Sequence, residues 1–108
     1  MVVCVPVTSD GGIDPRWGRA ARVAIASVEG DAVASWEEYE VGWEHLHDAG
    51  SEGSHHARVA RFLQEHRVQA VVAHHMGAEM LHMLRRMGLQ VHLGAHGDAR
   101  AAAKAAAR

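Results

Sequence analysis

Ten of the 108 residues are histidine, and all ten lie between His45 and His96. Six fall at close spacing: His45 and His47, the pair His55-His56, and the pair His74-His75. Neutral imidazole ligates zinc, copper, nickel and iron, and a carboxylate such as Asp48 or Glu52 can complete a shell. No stretch has a stereotyped ligand spacing of the H-E-x-x-H kind. The pattern therefore points to a transition metal ion such as zinc, copper or iron without choosing among them. Histidines merely tolerated on a solvated surface are the plain alternative. A third reading is pH sensing, since protonating all ten would carry the formal charge from −2 to +8.

Other reactive types are sparse. Cys4 is the single cysteine and reads as a small buried hydrophobe; one thiol excludes an internal disulfide and a four-thiolate site. Met80, Met83 and Met87 recur at helical spacing and read as core, whereas Met76 sits in a loop beside His75. Gly77 precedes a helix whose first backbone N–H groups favour an anion, and a glycine there lets a ligand approach the backbone. Trp17 and Trp43 fall in loops, with pocket wall and core packing both open to them.

Composition bounds what such residues can do. Apolar residues make up 48% and charged residues 22%, which is globular composition and predicts one domain over residues 1–108. A charge of −2 offers no basic field for a nucleic acid backbone. No apolar run approaches the roughly 20 residues that cross a bilayer, and Met1–Val7 lacks the features of a signal peptide. The expectation is a cytoplasmic protein with neither a membrane nor a nucleic acid as partner.

The elements that must position these side chains are legible from the patterning. Val2 to Val7 is a continuous β-branched run, the mark of a strand covered on both faces, with Pro6 near its end. Arg22 to Val28 and Ala32 to Val41 read as strands around the turn Glu29-Gly30-Asp31, forming a partly exposed sheet edge. In the second of them Val33, Ser35, Glu37 and Tyr39 share one side, with Trp36 and Glu38 on the other. Gly42 to Ser54 reads as a loop. Ser54 then caps a helix from His55 to about His66, with Ala57, Val59, Ala60, Phe62 and Leu63 inward and Arg58, Arg61 and Glu65 outward. Gln69–Ala73 is a strand, and a helix runs from near Gly77 to Gly88. Leu89–Leu93 is the last strand, and Asp98 caps a final helix to Arg108. The order β-β-β-α-β-α-β-α predicts an α/β fold with a mixed five-stranded sheet.

That order also predicts a site. If the first strand points up, the loop with His45 and His47, the helix start at His55-His56, the exit at His74-His75 and the exit at His96 all lie on the upper rim. Open α/β sheets bind ligands at the carboxyl ends of their strands. Three segments, Glu44–His47, Ser54–His56 and His74–Met76, thus converge there.

Asp10-Gly11-Gly12-Ile13-Asp14-Pro15-Arg16-Trp17-Gly18-Arg19-Ala20 resembles the first loop of the dinitrogenase iron–molybdenum cofactor biosynthesis family, with its aromatic-Gly-Arg-Ala step. The likeness continues through Gly53-Ser54-His55, through Val71-Val72 with Met76-Gly77, and through Gly88-Leu89-Gln90-Val91, so it spans nearly the whole chain. The resemblance implies a ribonuclease-H-like three-layer fold and a carrier of iron–molybdenum or related metal–sulfur clusters, with a metalloprotein acceptor as partner. Together with the rim placement it gives Arg16, Trp17, Gly18, Met76, Gly77 and His96 as the candidate cluster- or anion-binding residues. Members commonly have histidine where this chain has Arg16, which suggests a cation facing an anionic ligand.

The function expected is thus a small binding protein for a metal cluster or metal ion, not an enzyme. One alternative is a pH- or metal-sensing interaction module. Another is a metal-dependent nuclease, which needs clustered carboxylates that the first strand lacks, Asp10 being the first in the chain.

Overall fold

The computed structural model describes residues 1–46 and 52–107. In chain order it contains β1 (Val2–Pro6), a 3₁₀ turn (Trp17–Arg19), β2 (Arg22–Glu29), β3 (Ala32–Glu40), α1 (Trp43–Leu46) and α2 (Glu52–Glu65). There follow β4 (Ala70–Val72), α3 (Ala78–Arg86), β5 (Gln90–His92) and α4 (Ala99–Ala106). The five strands form one mixed sheet ordered β3-β2-β1-β4-β5. Strands β1, β2 and β3 pair antiparallel, while β4 and β5 run parallel to β1.

The continuous apolar run of β1 fits its central place. Val3 and Val5 face one core and Cys4 the other, all fully buried. Pro6 ends the strand where its missing N–H costs nothing. The Val7 N–H bonds toward β2, so the Pro6 nitrogen faces β4, and the β1–β4 ladder has already ended at Cys4. One face of the sheet is covered by Val59 and Leu63 of α2 with Met80 and Leu84 of α3. The other is covered by Ala99, Ala103 and Ala106 of α4, an alanine stripe that lets this helix lie close. Asp98 caps α4 as expected, its side chain accepting from Ala101 N at 2.9 Å. Gly88 ends α3 in the left-handed region, at φ 85°.

Several expectations need correction. The stretch expected as a loop from Gly42 contains α1, a single turn anchored by buried Trp43. Helix α2 begins already at Glu52, so Ser54 lies inside it rather than capping it. Ala57 is exposed, and Arg58 is half-buried and turned inward. In β3, Ser35 pairs with Ser27 but Val33 pairs with Val28, leaving Ala34 as an extra residue. This bulge moves Val33 to the α4 face alongside Trp36, breaking the simple alternation. Helix α4 is defined to Ala106, and Arg108 lies outside the described residues.

Candidate functional site

The chain between β1 and β2 crosses the carboxyl end of the sheet and is fastened there by backbone pairing. Val7 bridges Ile13, Gly12 bridges Asp98 beyond β5, and Arg16 bridges His75 beyond β4. A cleft of about 690 Å³ opens beneath this crossing, on the α2–α3 face. The crossing contributes Arg16, Trp17, Gly18 and Arg19 to its walls, α2 contributes His55 and His56, and the β4 exit with α3 contributes His75, Met76, Gly77, Glu79 and Met80.

Of the residues expected from sequence, Arg16, Trp17, Gly18, His55, His56, His75, Met76 and Gly77 come together here. The others do not. His74 is exposed and outside this cleft, its carbonyl accepting from Gly94 N. His96 opens on a separate cleft of about 450 Å³ with His92, Asp98 and the alanines of α4. His45 lines a third depression with Glu40 and Glu44, its Nε2 3.6 Å from Glu44 Oε1. His47 and Asp48 lie outside the described residues. The reason is geometric. Strand direction tells which end of the sheet a loop reaches, but not which of its two faces. The β5 exit leads to α4, on the face opposite α2 and α3.

His55 is the buried histidine of the site, 3% exposed. Its Nε2 lies 2.8 Å from the Gly18 carbonyl oxygen and its Nδ1 3.0 Å from Arg58 Nη1. A carbonyl only accepts and a guanidinium only donates, so Nε2 carries the proton and Nδ1 accepts. Arg58 Nη1 also donates to the Leu46 carbonyl at the end of α1, at 3.2 Å. Sequence reasoning sent Arg58 outward; the signal it passed over is the i, i+3 spacing to His55, which puts both on one helix face.

Arg16 is oriented by buried Asp14. Asp14 Oδ1 accepts from the Arg16 backbone N–H at 2.9 Å and from Nε at 3.3 Å. The Arg16 side chain remains 61% exposed, so its guanidinium reaches both solvent and cleft. Trp17 is fully buried, edge-on to Trp43 at 5.4 Å, and its indole N–H has no hydrogen-bond partner among the described residues. Gly77 caps α3 without a side-chain acceptor, and a Cβ there would meet nothing within 4 Å. The start of α3, Gly77 to Met80, lines the cleft. Among the described residues Glu79 is the only carboxylate in the lining, against Arg16 and Arg19.

Among the described residues no three histidine, cysteine or acidic side chains are grouped to hold a metal ion. Cys4 shares the core with Trp17, Met76 and Met80 but does not line the cleft, and burial pushes its thiol far above the ordinary range, so it stays protonated.

A family model for the dinitrogenase iron-molybdenum cofactor matches residues 1–108. The chain is similar to the crystal structure of PH0822, with TM-score 0.76, 21% identity, and coverage of 97% of this chain and 87% of that one. It is similar to TM1290, a NifB-like protein of the DUF35 family from Thermotoga, with TM-score 0.70, 22% identity, and coverage of 98% and 86%. It also resembles the apo form of the orange protein from Desulfovibrio gigas, with TM-score 0.68, 20% identity, and coverage of 98% and 82%. At this level of identity the likenesses establish a shared fold. No curated protein matches the sequence.

Proposed function

From the chain's membership of the dinitrogenase iron-molybdenum cofactor family, we propose that it binds and carries an anionic metal–sulfur cluster in the cleft under Arg16–Arg19. The observation that carries this reading is the character of the lining. Among the described residues it holds Arg16, Arg19, Trp17 and an uncapped helix start, but no convergent set of three ligands. A bare ion demands three or four ligands around itself. A cluster brings its own sulfides and needs few protein ligands, together with cations and N–H donors for its charge. His56, His75 and Met76 supply nitrogen and sulfur donors for one or two metal bonds, and Gly77 leaves room for close approach.

The role is accessory rather than catalytic, with a metalloprotein acceptor for the cargo. Asp10 and Asp14, the carboxylates a nuclease would recruit, are engaged by Thr8 and Gly12 and by Arg16 respectively. The ribonuclease-H-like label implied by the resemblance fits a sheet covered on both faces and belongs to this proposal. So does a cytoplasmic location; no helix among the described residues is long and apolar enough to cross a membrane.

A second reading, a zinc, copper or iron site, has the shared cleft of His56 and His75 in its favour. Elemental analysis of untagged protein purified without added metal separates the two. Molybdenum or iron accompanied by acid-labile sulfide supports the cluster; zinc or copper alone, without sulfide, overturns it.

A further inference from the structure

We propose that His55 is a positioning residue rather than a ligand. Held by Arg58, it turns the Gly18 carbonyl away from the cargo and sets the Trp17–Arg19 turn. This inference rests on the cleft being the site of an anionic cargo.

The chain of contacts is continuous. Arg58 joins the end of α1, through the Leu46 carbonyl, to the Nδ1 of His55 one helical turn earlier on α2. The Nε2–H of His55 then joins α2 to the Gly18 carbonyl in the middle of the 3₁₀ turn. Trp43 packs edge-on against both neighbours, at 6.5 Å from the His55 ring and 5.4 Å from Trp17. His55 is 3% exposed, and hydrogen bonds shielded from water are stronger than exposed ones and cost more to break.

The placement has a chemical purpose. Gly18 lies between Trp17 and Arg19, and all three line the cleft. A carbonyl oxygen left unbonded there would present negative charge to an anionic cargo. Donation from His55 engages that oxygen, while the neighbouring residues that suit an anion, Arg16 and Arg19, stay on the lining.

The same geometry removes His55 from the ligand set. A metal-bound imidazole must aim a lone pair at the metal. The one lone pair of His55 is at Nδ1, and it faces the Arg58 guanidinium. Ligation would require breaking the bond to Arg58 or shifting the tautomer and losing Gly18.

Glutamine tests the idea, because its amide N–H can donate to Gly18 and its carbonyl can accept from Arg58, yet it is a poor metal ligand. In the full chain, His55→Gln should bind the molybdenum–sulfur probe tetrathiomolybdate within ~3-fold of the unmodified protein. His55→Leu, which keeps neither bond, should bind it at least ~10-fold more weakly. Equal loss in both variants would make His55 a ligand and overturn the proposal. Two readouts without ligand keep it decidable if the probe fails to bind at all, an outcome that counts against the cluster reading instead. Nitrogen NMR of the ring should show Nε2 protonated and Nδ1 bare. The Trp17 indole N–H should exchange faster in His55→Leu but not in His55→Gln. An Nδ1–H tautomer, or an unchanged Trp17 signal in His55→Leu, overturns the inference. If His55→Leu does not fold, Arg58→Met removes the outer link alone. It should speed the same exchange, and unaltered exchange there rejects the relay.

Discussion

His75 and Arg16 are joined backbone to backbone by an isolated parallel bridge. That link ties the β4 exit to the crossing loop, so an imidazole and a guanidinium distant in sequence border one cleft. With a cation and an N-donor at a single mouth, the two side chains should respond differently to an anionic cluster and to a simple metal ion.

Arg16→Ala should weaken tetrathiomolybdate binding by about 10-fold, the scale of one charge-assisted hydrogen bond, while leaving zinc affinity within about 2-fold. Calorimetric titration with each ligand checks this. Equal loss of both would mark a disturbed loop, and loss of neither would remove Arg16 from the site.

The adjacent histidines should separate by placement. His75→Ala should lower zinc or copper affinity by about 10-fold. His74→Ala, whose imidazole lies outside the cleft, should leave it unchanged. A larger effect from His74 would relocate the donors.

Much of this arrangement was legible in the sequence. Apolar runs such as Val2–Val7 and the Met80–Leu84–Met87 spacing announce strands and helices, because burial on two faces or one leaves different periods. Strand direction then locates the rim. Which face each rim loop turns to was not legible, and that is why His96 parts from His75. Nor was the Ala34 bulge, since an inserted residue leaves no mark in composition. The role of Arg58 was hidden because its partners, Leu46 and Gly18 through His55, meet it only in the folded chain.

Cys4 should be silent toward thiol reagents in the native protein at pH 8 and react fully once unfolded, because burial holds it protonated. The same shift has a sign for stability. In the folded state the thiol keeps its proton, whereas in the unfolded state it loses it above the ordinary value of 9.0. Stability should therefore fall as pH rises past that value, by at most about 1.4 kcal/mol per pH unit from this group. Denaturant unfolding at pH 7 and pH 10 should show a smaller decline for Cys4→Ala than for the unmodified chain. Equal declines would show that Cys4 ionises freely when folded.

Ala103 is fully buried where α4 meets the sheet, among Val3, Val5 and Val72 on the same side. Ala103→Leu should push the helix off the sheet and destabilise the fold by about 1–3 kcal/mol, while Ala105→Leu on the exposed side should change little. Thermal unfolding of the two variants decides whether the alanine stripe is a close-packed seam.

The central claim, that the cleft beneath Arg16–Arg19 receives an anionic metal–sulfur cargo, is tested most directly by following backbone and indole N–H resonances during titration with tetrathiomolybdate. The Trp17 indole N–H and the amides of Gly18 and of Gly77 to Met80 should shift together and saturate. Those of His92, His96 and Ala101 to Ala105, around the second cleft, should hold still. Shifts confined to the second cleft, or none at any concentration reached, would contradict the account.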